Sequence, residues 1–251
     1  MGYEEDSATP PSLSDVKAGF RAMWAQSAHS VSLFTVWICV GLFLAIGILT
    51  GLGVTSRDTV ISVLGLSRVG ILRHGMVYQF LTAPLLHPSV AHLLFNMLAL
   101  WMLGPAVEHA MGRRRYVGFS LACALVSMVG FLLLSRDPRG LVMGYSGVIF
   151  GILAAQAVYF PNNRLMFCLF FPMKMKYAVL ILGAIELYLT ISPERAGVAH
   201  SAHLFGALAG LGCVRFAQWQ DAHGRSRGEP GRRARTRASH SVRRQKIPKE
   251  L

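Results

Sequence analysis

Charge is scarce in this sequence. Asp, Glu, Lys and Arg make up 15% of its 251 residues, 53% are apolar, and the mean hydropathy is +0.45. Soluble domains carry about 25% charged residues, so the shortage excludes an ordinary cytosolic enzyme. Six bilayer spans of about 20 residues each would account for the apolar half. Cysteine is sparse too: Cys39, Cys123, Cys168 and Cys213 stand singly in apolar runs. That spacing indicates neither a disulfide framework nor a Cys-x2-Cys metal site, and the four read as small core hydrophobes. No His-Glu-x2-His occurs. His87 and His92 are five apart, off the i, i+4 face that helical zinc sites use, which disfavours a zinc protease. No inverted repeat points to a transporter. There is also no apolar run near Met1; the first begins at Leu33 behind a polar lead, and reads as a retained span rather than a cleaved leader.

The charge that is present is lopsided. The net charge is +13, and ten Lys and Arg lie between Arg225 and Lys249 against Glu229 and Glu250. A basic stretch beside a membrane span follows the positive-inside bias. It either stays solvated or touches anionic lipid, at about 1 kcal/mol per basic residue near the surface. Its position does not favour a nucleic-acid partner. In the polar lead, Ser14 can cap a short helix whose Val16, Phe20, Met23 and Trp24 recur at helical spacing, as in an interfacial helix.

Apolar runs bounded by charge or Pro/Gly punctuation predict spans at 33–53, 88–109, 115–134, 144–160, 175–191 and 200–219. The chain therefore divides into an N-terminal segment (1–32), a six-helix domain (33–220) and a basic tail (221–251), predicted to be disordered. The connector 54–87 mixes Arg57, Asp58, Arg68 and Arg73 with many apolar residues and reads as lying in or on the membrane surface. Alternate connectors carry unequal positive charge. Lys17, Arg21, Arg113, Arg114, Arg115, Arg164, Lys174, Lys176 and the ten of the tail face six on the other side: Arg57, Arg68, Arg73, Arg136, Arg139 and Arg195. Both termini are then expected in the cytoplasm. Spans two, four and six run inward, which puts their N-terminal ends in one leaflet.

Those three ends carry the residues able to do chemistry. Span two has His87, His92 and Asn96; span four opens with Gly144-Tyr145-Ser146-Gly147; span six has Ala202-His203 near its start. A strongly polar residue at membrane depth is costly and implies a function with a partner. A lone Ser in a membrane helix ordinarily bonds a carbonyl one turn back, and a lone His is commonly structural. Ser146 differs in being bracketed by Gly144 and Gly147, which permit the sharp turn that presents a nucleophile in Gly-x-Ser-x-Gly enzymes. Gly147 and Gly151 on span four, with Gly206 and Gly210 on span six, are small-xxx-small pairs that let two helices touch and bring His203 to Ser146. His92 and Asn96, at i and i+4, share one face. They are donors of the kind that acyl transfer aims at a developing oxyanion; alternatively they bond neighbouring backbone and hold helices together.

His87-x4-His92-x3-Asn96, Gly144-x-Ser146-Gly147 and Ala202-His203-x2-Gly206-x3-Gly210 together resemble the rhomboid intramembrane serine proteases, as does Gly104-x3-Glu108-x3-Gly112-x3-Tyr116. The resemblance covers roughly residues 60–215. It implies an all-α membrane protein, a compact six-transmembrane-helix bundle in the cell membrane. Ser146 would be the nucleophile and His203 the general base. His92, Asn96 and the Ser146 backbone N–H would form an oxyanion hole, supported by Gly144, Gly147, Phe150 and Gly206. Substrates would be transmembrane proteins cut in or near their spans, with no cofactor and no metal. Two positions depart from the pattern: the first-loop aromatic-Arg pair is Tyr78-Gln79, and the Tyr one turn after the nucleophile is Phe150, which can still pack under an imidazole. The acids within the spans are Glu108, at the inner end of span two, and Glu186 in span five. A Ser-His dyad is the reading, with Glu108 expected to bond the adjacent inner connector. The rival is a rhomboid-like protein that binds membrane clients without cutting them. Its usual mark is loss of Ser or His, and both are present.

Overall fold

A computed structural model describes residues 30–134, 140–167, 171–192 and 200–227. Helix α1 (Val31–Gly51) starts at Ser30, whose hydroxyl accepts from the Leu33 N–H. The connector after it is largely ordered into α2 (Arg57–Leu64), α3 (Arg68–His74), α4 (Gln79–Thr82) and a 3-10 turn at Ala83–Leu85. Then come α5 (Val90–Met111), α6 (Arg113–Leu134), α7 (Ser146–Tyr159), α8 (Met175–Ile191) and α9 (His200–Arg227). Five of the expected spans match these helices to within two residues at each end. The sixth runs on: α9 continues to Arg227, past the expected domain end at residue 220. The proposed N-terminal interfacial helix and residues 228–251 of the basic tail lie outside the described residues.

Among the described residues, α1, α5 and α6 are long and apolar enough to cross a membrane, and α7 is a shorter apolar helix. Helix α7 is apolar on every side, which a helix tolerates only when it is enclosed. It packs against α5, α6 and α8, and Gly147 to Gln156 are buried except Phe150. Its one polar residue in that stretch is satisfied: Gln156 Nε2 donates to the Leu103 carbonyl at 2.8 Å. Helix α1 packs on α5 and turns Phe34, Trp37, Leu44 and Ile48 outward, a surface suited to hydrocarbon rather than water. Two short antiparallel pairs supplement the helices. Leu66–Ser67 (β1) pairs with Leu141–Val142 (β2), and Arg164–Phe167 (β3) pairs with Phe171–Lys174 (β4). The first pair ties the connector before α3 to the one leading into α7. Leu66 and Val142 bury there with Ala83, Met128, Phe131 and Ala202.

Glu108 corrects one expectation. It reaches not the connector that follows α5 but the first turn of α1: its carboxylate accepts from Ser30 Oγ (2.7 Å), Val31 N (2.7 Å), Ser32 N (3.0 Å) and Ser32 Oγ (2.9 Å). The first N–H groups of a helix lack intrahelical acceptors, and a carboxylate is well matched to them. Gly104, one turn earlier, gives Ser32 the room; a Cβ there would lie 2.7 Å from Ser32 Oγ.

By its contacts the chain divides within α9 into Met1–Leu211 and Gly212–Leu251. Every residue of the site described below belongs to the first unit.

Candidate active site

Ser146 is the first residue of α7, and Gly144 two positions before it has φ +113°. That conformation suits glycine and sets the turn into the helix. The Gly144 N–H donates to the Ala83 carbonyl at 2.9 Å, pinning the turn to the 3-10 segment. As the first helical residue Ser146 has a backbone N–H without an intrahelical acceptor, at the positive end of the helix dipole.

Helix α9 brings His203 to this serine through the glycine seam. A Cβ on Gly206 would strike the backbone of Gly147, and one on Gly210 would lie 2.5 Å from Cα of Gly151. Backbones this close leave no space for a side chain at either level. One turn before Gly206, His203 Nε2 lies 2.8 Å from Ser146 Oγ. Phe150, one turn into α7, stacks on the imidazole with ring centroids 4.5 Å apart and planes 7° from parallel. The position where the family pattern has Tyr thus still supplies a flat apolar bed.

His92 and Asn96 converge on Gly144 from α5. A Cβ at Gly144 would lie 2.8 Å from His92 Cε1, 3.0 Å from His92 Nε2 and 3.4 Å from Asn96 Nδ2. Asn96 Nδ2 is buried without a hydrogen-bond partner among the described residues. Buried donors are normally satisfied, so an idle one beside Gly144 is free to meet an acceptor that arrives with a ligand. His87, in the loop before α5, meets His92 edge to face at 5.4 Å. Burial, reinforced by His92, pushes His87 down from 6.5 to about 4, so it is neutral at physiological pH.

The loop departure also has a local account. Gln79 is fully buried, and its amide does the anchoring: Oε1 accepts from Ser67 N at 3.3 Å, while Nε2 donates to the Val63 carbonyl at 3.0 Å and the Ser62 carbonyl at 3.3 Å. Arg68 donates to the Leu132 carbonyl, tying the same segment to the end of α6. Tyr78 is exposed.

Glu186, which the sequence named among the acids within the spans but which the Ser-His dyad left out, lies at the site. Glu186 on α8 is buried, its Oε1 lies 3.0 Å from His203 Nδ1, and its Oε2 lies 2.7 Å from His200 Nδ1. The dyad reading therefore leaves out a carboxylate that touches the histidine. His200, which helix geometry turns away from the glycine seam, does not contact Ser146 but shares this carboxylate, with its ring 6.3 Å from that of His203. The signal was available: an acid inside an apolar span needs a partner. What the sequence lacked was the direction in which Glu186 points.

Residues 74–218, more than half of the chain, match the model of the rhomboid domain. The chain belongs to the rhomboid family. It is similar to the rhomboid protease GluP of Bacillus subtilis (strain 168), with 35% identity over 115 residues, 46% of this chain and 22% of that one. It is also similar to the rhomboid protease GlpG of Enterobacter sp. (strain 638), at 28% over 160 residues, 60% of this chain and 51% of that one. The human presenilin-associated rhomboid-like protein, mitochondrial, is 31% identical over 141 residues, 52% of this chain and 35% of its own. The chain thus spans about a fifth to a half of these relatives. With its apolar helices, this rhomboid is a membrane protein.

Proposed function

We propose that this rhomboid is an intramembrane serine endopeptidase of the cell membrane, with six spans and both termini in the cytoplasm, cutting transmembrane proteins in or near their spans. The observation that carries the reading is the 2.8 Å contact between Ser146 Oγ and His203 Nε2 at the mouth of α7. Relatives named as rhomboid proteases support it. As Ser146 Oγ bonds the scissile carbonyl carbon, its proton passes to His203 Nε2 and the carbonyl π pair moves onto oxygen. Asn96 Nδ2, His92 and the Ser146 N–H receive that oxyanion. The imidazolium then protonates the leaving amide nitrogen as the C–N bond breaks, and water repeats the sequence on the acyl-enzyme. No cofactor takes part in these steps.

The test is cleavage of a reporter span co-reconstituted with the full-length protein in liposomes. Wild type should cut it and Ser146→Ala should not. A wild type that binds the reporter but leaves it intact, equal to Ser146→Ala, would replace the protease with a client-binding rhomboid.

A further inference from the structure

The acid on α8 sits where a third member of a hydrolytic relay would sit. Glu186 Oε1 is 3.0 Å from His203 Nδ1, on the opposite side of the ring from the 2.8 Å contact between Nε2 and Ser146 Oγ. A carboxylate only accepts hydrogen bonds. The proton in the Glu186–His203 contact therefore belongs to Nδ1, which leaves Nε2 unprotonated and able to accept from the serine. The carboxylate is itself oriented, because its other oxygen is held by His200 Nδ1 at 2.7 Å. Burial of Glu186 on α8 strengthens both contacts by excluding water. Among the described residues, the groups in contact with His203 include Ser146 and Phe150 on α7, Glu186 on α8 and His200 on its own helix, and His92 on α5 is near enough to interact with it electrostatically.

We propose that Glu186 is a positioning residue that completes a Ser146–His203–Glu186 relay, fixing the base in its Nδ1–H tautomer, with His200 steering the carboxylate. The proposal deepens the protease reading and rests on it for its catalytic part. During attack the serine proton goes to Nε2, Nδ1–H stays on the ring, and the carboxylate faces the imidazolium that forms. Glu186 takes no proton at any step. Glu186, His200 and His203 also have the composition of a cation site, their ligand atoms lying within 4.8 Å of one another. The test therefore includes a chelator.

Full-length wild type, Glu186→Gln, Glu186→Asp and Glu186→Leu are compared in liposomes and detergent. Glu186→Gln should lower kcat by about 10²-fold, the lower range of a general-base contribution, with KM changed less than about threefold. Labelling of Ser146 by a serine-directed phosphonate should slow in parallel. Glu186→Asp should recover part of both rates. Melting temperature separates this from a brace between α8 and α9, since a brace would lower stability and leave the rates of the folded fraction alone. Nitrogen-15 NMR of His203 reads the tautomer without any substrate: Nδ1–H in wild type, and a mixture or Nε2–H in Glu186→Leu. Wild-type rates in Glu186→Gln and Glu186→Leu, an Nε2–H tautomer in wild type, or turnover abolished by the chelator would each overturn the relay. A wild type that neither cuts nor labels would sink the protease reading instead, and the tautomer measurement would still decide what Glu186 does.

Discussion

In the proposed mechanism Ser146 and His203 act on one proton, so neither should retain function without the other. Ser146→Ala and His203→Ala are each expected to abolish reporter cleavage, and the double variant to be no worse than either, because losses within a unit that acts together do not add. Their melting temperatures should stay near wild type, and phosphonate labelling should need both residues. Asn96 answers a different question. Its idle Nδ2 beside Gly144 has no folding partner to lose, so Asn96→Ala should cut kcat by about 10²–10³-fold while KM moves little. His92→Ala should behave likewise. A change confined to stability or KM would return that residue to a structural role. Most of these residues were legible because polar groups are rare in apolar helices and each demands a partner. Glu186 stood out by the same rule, but nothing local aims a side chain across 17 residues to His203, and only the packing of α8 beside α9's first turn does that.

Helices were the most legible elements, since a span must be long and apolar, and the charges and glycines that end it stand out. Residues in the long first connector were harder to read. There Gln79 replaces a cation with a neutral amide, and its three backbone partners, at Ser62, Val63 and Ser67, come from a chain turn no periodicity announces. Glu108 was misassigned for a similar reason. Its partners at Ser30, Val31 and Ser32 lie 76 to 78 residues away, while the connector it was expected to bond is its sequence neighbour. The glycine seam supplies a test at this scale. Gly206→Val would press a branched side chain into the backbone of Gly147, the residue after Ser146. Overpacking costs about 1–3 kcal/mol where side chains can yield, and backbone yields less. The expected result is a lowered melting temperature together with loss of cleavage, because α9 cannot keep His203 within reach once it moves off α7. Gly183→Ala on α8 is the control. A Cβ there meets nothing within 4 Å, and the variant should fold and cut as wild type. Equal tolerance of both changes would mean the seam does not set the distance between base and nucleophile.

Orientation in the bilayer is the property of the whole molecule that the fold alone does not supply, because a bundle is the same bundle either way up. It follows instead from the distribution of positive charge over the connectors. On the proposed topology eighteen Lys and Arg lie on one side against six on the other, with the ten of the tail dominating, a bias that would orient both termini to the cytoplasm. This has a consequence for the site. Ser146 starts α7 and His203 lies in the first turn of α9, so both stand at the ends of helices that would run inward, and the nucleophile would open toward the outer face. Single cysteines in a cysteine-free background make this measurable in intact cells. Positions Asp58 and Ser192, in outer connectors on this reading, should react with an impermeant thiol reagent added outside. Position His223, exposed near the end of α9, should react only after the membrane is opened. Moving charge tests the cause as well as the outcome. Replacing the basic residues of the tail with Gln removes ten of the eighteen, after which the remaining eight still exceed six, so the labelling pattern should persist with some mixed molecules. The opposite labelling in wild type would invert the membrane orientation and turn the serine toward the cytoplasm, where the substrates' cut ends would also be released.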